Sequence, residues 1–83
     1  MKRVNLLWVS SNNKWAIYLV VHPRTNKLVL EVTDGYISQI PIFYDNGGFA
    51  FDNPYGIPKY VIEKVRVLGY KLKKQGVLYK EAQ

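Results

Sequence analysis

The chain has 83 residues and a mass of 9.6 kDa, with 48% apolar and 22% charged side chains, a net charge of +6 and no cysteine. One small domain of this size hides only about 60 to 65% of the surface its unfolded form exposes, and without disulfides its stability has to come from packing or from a second copy of the chain. The longest apolar runs, "NLLWV" and "WAIYLVV", are far shorter than the roughly 18 residues of a membrane span, and no small-residue cleavage site follows the basic start, which points to a cytoplasmic protein without a signal peptide.

Asn12-Asn13 is the first turn signal, because asparagine tolerates positive φ better than other residues that carry a Cβ. A hairpin centred there sets Ser11 against Lys14, Trp8 against Ile17, Leu6 against Leu19 and Val4 against Val21. A four-residue loop, "PRTN", then sets His22 against Lys27 and Val21 against Leu28. Since side chains alternate along a strand, Val4, Leu6, Trp8, Trp15, Ile17, Leu19, Val21, Leu28, Leu30 and Val32 share one face of a three-stranded meander over residues 4–33. The other face carries Leu7, Val9, Tyr18, Val20 and Val29 among polar side chains.

Asp34-Gly35 ends the meander, and a hairpin is expected over residues 36–52 around Asn46-Gly47, pairing Tyr44 with Phe49 and Ile42 with Phe51. Pro41 has no amide hydrogen, so its strand has to lie at an edge or break there. "DNPYG" reads as an irregular connector. From Pro58 the pattern becomes helical, with Ile57, Val61, Val65 and Leu68 on one side and Lys59, Glu63 and Arg66 on the other. This spacing predicts a helix over 58–68, stopped by Gly69 in the left-handed conformation. Residues 70–80, "YKLKKQGVLYK", then form a basic hairpin around Gln75-Gly76. Together these elements make an α+β fold: an antiparallel β-meander and hairpins of about five strands, followed by one helix and a C-terminal β-hairpin.

Catalytic readings are thin. His22, the one histidine, ends a strand with no nucleophile or orienting group at a useful spacing. Of the carboxylates Glu31, Asp34, Asp45 and Asp52, the three aspartates flank turns, where they bond local backbone rather than a metal. Gly47-Gly48 joins two strands, whereas a phosphate loop joins a strand to a helix. The expectation is a protein that is not an enzyme and takes no cofactor or metal.

Charge is the more informative feature. Residues 1–27 carry five basic and no acidic side chains, residues 28–57 four acidic and no basic, and the chain from Pro58 seven basic against two acidic. Nucleic acids are held by several Lys or Arg on one surface and by bases stacking on exposed rings. Lys71, Lys73, Lys74 and Lys80 with Tyr70 and Tyr79 supply both ingredients, and Arg24 and Lys27 form a second basic group, so DNA or RNA is the first candidate partner. A lysine-studded sheet edge that resists aggregation accounts for the same residues without a partner. The rival reading is a protein-binding module, such as a small phage or viral accessory protein docking on a host protein. A homodimer through Leu7, Val9, Tyr18, Val20 and Val29 belongs with it, because burying each aliphatic side chain there contributes about 1.5 to 3 kcal/mol.

Overall fold

Both asparagine turns form. In the computed structural model, which describes residues 2–52 and 56–82, Asn13 and Asn26 take φ of 59° and 57° where the chain reverses. Strands β1 (Lys2–Val9), β2 (Ala16–Val21) and β3 (Leu28–Thr33) follow from these turns, and β4 (Ser38–Gln39) completes a four-stranded antiparallel sheet in the order β1-β2-β3-β4. The β2–β3 register is the expected one, with Val21 opposite Leu28, Leu19 opposite Leu30 and Ile17 opposite Val32. At the first turn the Ser10 amide donates to the Trp15 carbonyl at 2.8 Å, so the loop spans residues 11–14 and Trp8 still faces Ile17.

β1 departs from the expected pairing through two bulges, which set Asn5 opposite Leu19 and Lys2 opposite Val21 where Leu6 and Val4 were expected. The run "LLW" explains the change: an extra residue lets Leu7 and Trp8 both pack on the helix side of the sheet, while Val4 and Leu6 stay exposed. β1 is also an edge strand, and bulges there discourage pairing with other chains.

The same bulges correct the expectation of a bare second face. Arg3 is set opposite Val20, its guanidinium lies 4.0 Å from the centre of the Tyr18 ring, and its Nε donates to Glu31 Oε1 at 2.9 Å. Val20 and Val29 are 0% and 6% exposed within the single chain, and Leu7 belongs to the opposite side. Of the five residues assigned to self-association, Val9 alone is well exposed.

The core packs Trp15, Ile17, Leu19, Leu30 and Val32 of the sheet side against Val61 and Val65 of α1 (Lys59–Lys74) and Phe43 of β5 (Ile42–Phe43). β5 pairs with β6 (Phe49–Ala50) in a separate two-stranded ribbon. Its register is one residue from the expected one: Phe43 faces Phe49 and Ile42 faces Ala50. The Tyr44 amide donates to the Gly48 carbonyl at 2.8 Å and Gly47 takes φ of 91°, so the turn has three residues, not two. The shift turns Phe43 inward, stacked on Phe49 at 5.2 Å and edge-on to Tyr70 at 5.3 Å between ring centres.

The helix begins after Pro58 as expected but runs through Gly69 to Lys74. Gly69 is there for close approach, not termination: a Cβ at this position would run into the ring of Phe43. The chain turns instead at Gln75-Gly76, with Gly76 at φ of 76°. Residues 77–82 then double back on the start of β3. The Tyr79 amide donates to the Leu28 carbonyl at 2.8 Å, the Leu28 amide to the Lys80 carbonyl at 2.9 Å and the Ala82 amide to the Asn26 carbonyl at 2.8 Å, so that Lys27 and Glu81 lie opposite each other along the backbone. The α+β class, with an antiparallel sheet, one helix and a paired C-terminal segment, is the one read from the sequence; Tyr70–Lys73, expected as the first strand of the basic hairpin, belong to the helix. Residues 53–55 of the "DNPYG" connector lie outside the described residues.

Candidate functional site

The helix runs from the β1–β2 turn towards the β2–β3 loop. Tyr60, near its start, receives a hydrogen bond from Asn12 and packs edge-on to Trp8, while the segment leaving its end pairs with residues 26–28. Lys71, Lys73 and Lys74 in the last turn therefore lie at the same end of the molecule as Arg24, Lys27 and Lys80. The two basic groups that are separate in sequence are joined by the backbone bonds between residues 79–82 and 26–28. Lys2 belongs to this end as well, being opposite Val21 and lining a common hollow with Lys80. Sequence reading missed Lys2, because its position depends on the bulged register of β1.

These cations differ in what they touch. Lys73 Nζ donates to Asp45 Oδ1 at 2.6 Å, which lowers the Asp45 pKa and raises that of Lys73, although the near-complete exposure of Asp45 leaves the pair well screened by water. Lys71, Lys74, Lys80, Arg24 and Lys27 form no ion pair among the described residues. Another pair, Arg3 with Glu31, lies on the second face of the sheet. Burial pushes the Glu31 carboxyl up, but hydrogen bonds from Arg3 and Ser38 and the Arg3 charge outweigh it and hold the pKa below the usual carboxylate range.

The two candidate stacking tyrosines are tied down. Tyr70 donates its hydroxyl proton to the Gly48 carbonyl at 2.6 Å and packs against Phe43, so its ring is part of the fold. Tyr79 accepts the Phe43 amide proton on its hydroxyl at 2.9 Å, and Lys73 Nζ sits 5.8 Å from its ring centre. Its backbone holds φ of 67°, a left-handed conformation that is costly for a bulky side chain and is retained because the bonds to Leu28 and Phe43 fix both ends of the residue.

A groove opens beside this end of the molecule. β4 pairs with β3 only at Val32 and Thr33, and the C-terminal segment meets β3 at Lys27 and Leu28. Pro41 ends the β4 pairing, and residues 40–42 leave the edge of β3 for the aromatic ribbon. The space left is about 710 Å³, with Val29, Ile40 and Ile42 along it, Lys27 and Tyr79 at the loop side, and Asp52 on the ribbon side. His22 also lines it, and its Nδ1 accepts the Arg24 amide proton at 3.1 Å, which leaves Nε2 to carry the ring proton as a donor. His22 and Asp52 are two groove residues that the sequence reading set aside; the break at Pro41 was the signal that a gap would open near them.

Asp34 keeps its expected local role, its carboxylate accepting the Ile37 and Tyr36 amides at 2.9 Å each, which lowers its pKa. No helix among the described residues is long and apolar enough to cross a membrane. Comparison with protein-family models, with curated proteins and with solved structures gives no match.

Proposed function

We propose that this is a non-catalytic nucleic-acid-binding protein that holds phosphates on its basic end, with Arg24, Lys27 and Lys80 at the centre and Lys71, Lys74 and Lys73 beside them. The observation that supports this reading is the pairing of residues 79–82 with 26–28, which draws cations from two distant stretches of sequence to one end of the molecule. Neutralising each phosphate releases counterions, so affinity falls with salt by a slope of about −0.9 per contact on duplex DNA and about −0.7 on single strands. The test is the salt dependence of binding to DNA and RNA by the wild type, by a Lys71→Ala/Lys73→Ala/Lys74→Ala variant and by an Arg24→Ala/Lys27→Ala/Lys80→Ala variant. The second variant is expected to lose about 2 to 3 units of slope. Binding and slope unaltered in both variants, or no retention of either nucleic acid at low salt, defeats the proposal.

A second reading, protein binding through apolar side chains of β1, is favoured by the exposure of Val4, Leu6 and Val9 on this edge strand. A solution mass of twice the chain that falls to the monomer value in Leu6→Lys supports it; a monomeric wild type removes the homodimer form.

A further inference from the structure

We propose that the groove beside Lys27 receives unstacked bases, so that the nucleic acid bound at the basic end is single-stranded; this rests on the nucleic-acid reading above. The volume of about 710 Å³ falls in the range of roughly 300 to 1,000 Å³ that encloses organic ligands, and exceeds what one base needs. Its wall is apolar along Val29, Ile40 and Ile42, which suits the faces of bases, and Tyr79 lies at one end. Lys27 belongs both to this end and to the basic surface, so a strand with its phosphates on Arg24, Lys27 and Lys80 has its bases at the mouth.

The charge at the other side selects the occupant. Asp52, on the ribbon side, and Lys27, at the loop side, both line the groove. A simple anionic amphiphile filling the groove would carry no group for Asp52 to bind. A nucleotide has the matching polarity, with phosphate for Lys27 and, on adenine, cytosine or guanine, an exocyclic amino group that donates to a carboxylate. Bases inside a duplex are stacked and paired and cannot enter, so the groove discriminates by strandedness.

Fluorescence anisotropy at one fixed salt concentration tests this with four labelled probes of equal length: a mixed-sequence DNA strand, the same sequence as RNA, its DNA duplex, and an abasic phosphodiester strand. Intact single strands are expected to bind about tenfold more tightly than the abasic strand or the duplex. Ile42→Asp, which adds a second carboxylate at an exposed groove position, is expected to bring single-strand affinity down to that of the abasic strand, with a thermal melt to verify folding. Equal binding of intact, abasic and duplex probes, with the salt dependence retained, overturns the groove proposal and leaves the basic surface standing. Absence of salt-dependent binding to all four overturns both.

Discussion

Replacing Gly69 with alanine tests how the aromatic ribbon is seated on the helix, and hence what holds the groove open. At an unhindered interior helix position, alanine for glycine gains about 1 kcal/mol. At Gly69 the new methyl group would fall on the ring of Phe43, with three ring carbons inside van der Waals distance. The ring has little room to withdraw, being stacked on Phe49 and edge-on to Tyr70, while its backbone amide is tied to the Tyr79 hydroxyl. Overpacking of this kind costs about 1 to 3 kcal/mol, so the net effect is a loss of about 0 to 2 kcal/mol. For a chain of this size each kcal/mol moves Tm by about 4 to 8 °C. Four proteins decide the matter by thermal and urea unfolding followed by circular dichroism: wild type, Gly69→Ala, Phe43→Leu and the double variant. In the Phe43→Leu background the shorter side chain leaves the methyl group free, so Gly69→Ala there is expected to be neutral or stabilising. A rise in Tm of about 4 °C or more for Gly69→Ala with Phe43 present refutes the seating of the ribbon, and with it the placement of Ile42 and Asp52 along the groove.

The Arg3–Glu31 pair gives a pH prediction. The Glu31 pKa is depressed in the folded state, so its contribution to stability is fully present above the unfolded value of about 4.3 and is lost as pH falls through the folded value. Glu31→Gln is therefore expected to lower Tm most at pH 7, with the gap from wild type closing below about pH 4 in a melt series; a gap independent of pH contradicts the charged pair. Val20 and Val9, which the sequence placed on the same face, separate in a second test: Val20→Asp buries a charge where the side chain is 0% exposed and is expected to cost several kcal/mol, enough to unfold the protein at room temperature by circular dichroism. Val9→Asp at a 42% exposed position is expected to stay within about 0.5 kcal/mol of wild type, and equal effects of the two contradict the bulged register.

What could be read from the sequence was local. The turns at Asn13 and Asn26 follow from residue chemistry within four or five positions, and the β2–β3 register follows from the loop length, so both were legible. The β1 bulges were not, because alternation along "NLLWV" looks regular until the competing demands of Leu7 and Trp8 for one core are known. Gly69 misled for the same reason. A glycine after a helical pattern signals a stop when its neighbours are unknown, and a contact when Phe43 lies across the helix. The lysines of the candidate site were visible as residues, yet their assembly depends on the C-terminal segment finding Leu28, which lies far earlier in the chain.

The helix lysines and the loop cations also differ in why they are there. Lys71, Lys73 and Lys74 lie in the last turn of α1, where the negative end of the helix dipole favours positive charge, and Lys73 has Asp45 besides, so the fold accounts for them without a partner. Arg24, Lys27 and Lys80 have no such reason. They sit on a loop and an extended segment with one acid, Glu81, opposite Lys27, and the backbone bonds that join these segments gather three cations at one end of the molecule. Such crowding weakens the folded state and is what a site for a polyanion requires. The Arg24→Ala/Lys27→Ala/Lys80→Ala variant is therefore expected to bind nucleic acid more weakly and yet melt at a higher temperature than wild type in low salt, the difference shrinking in 1 M salt as screening removes the repulsion. A variant that melts lower at every salt concentration would mean that these three cations serve the fold, and the basic end would lose its claim to be a binding surface.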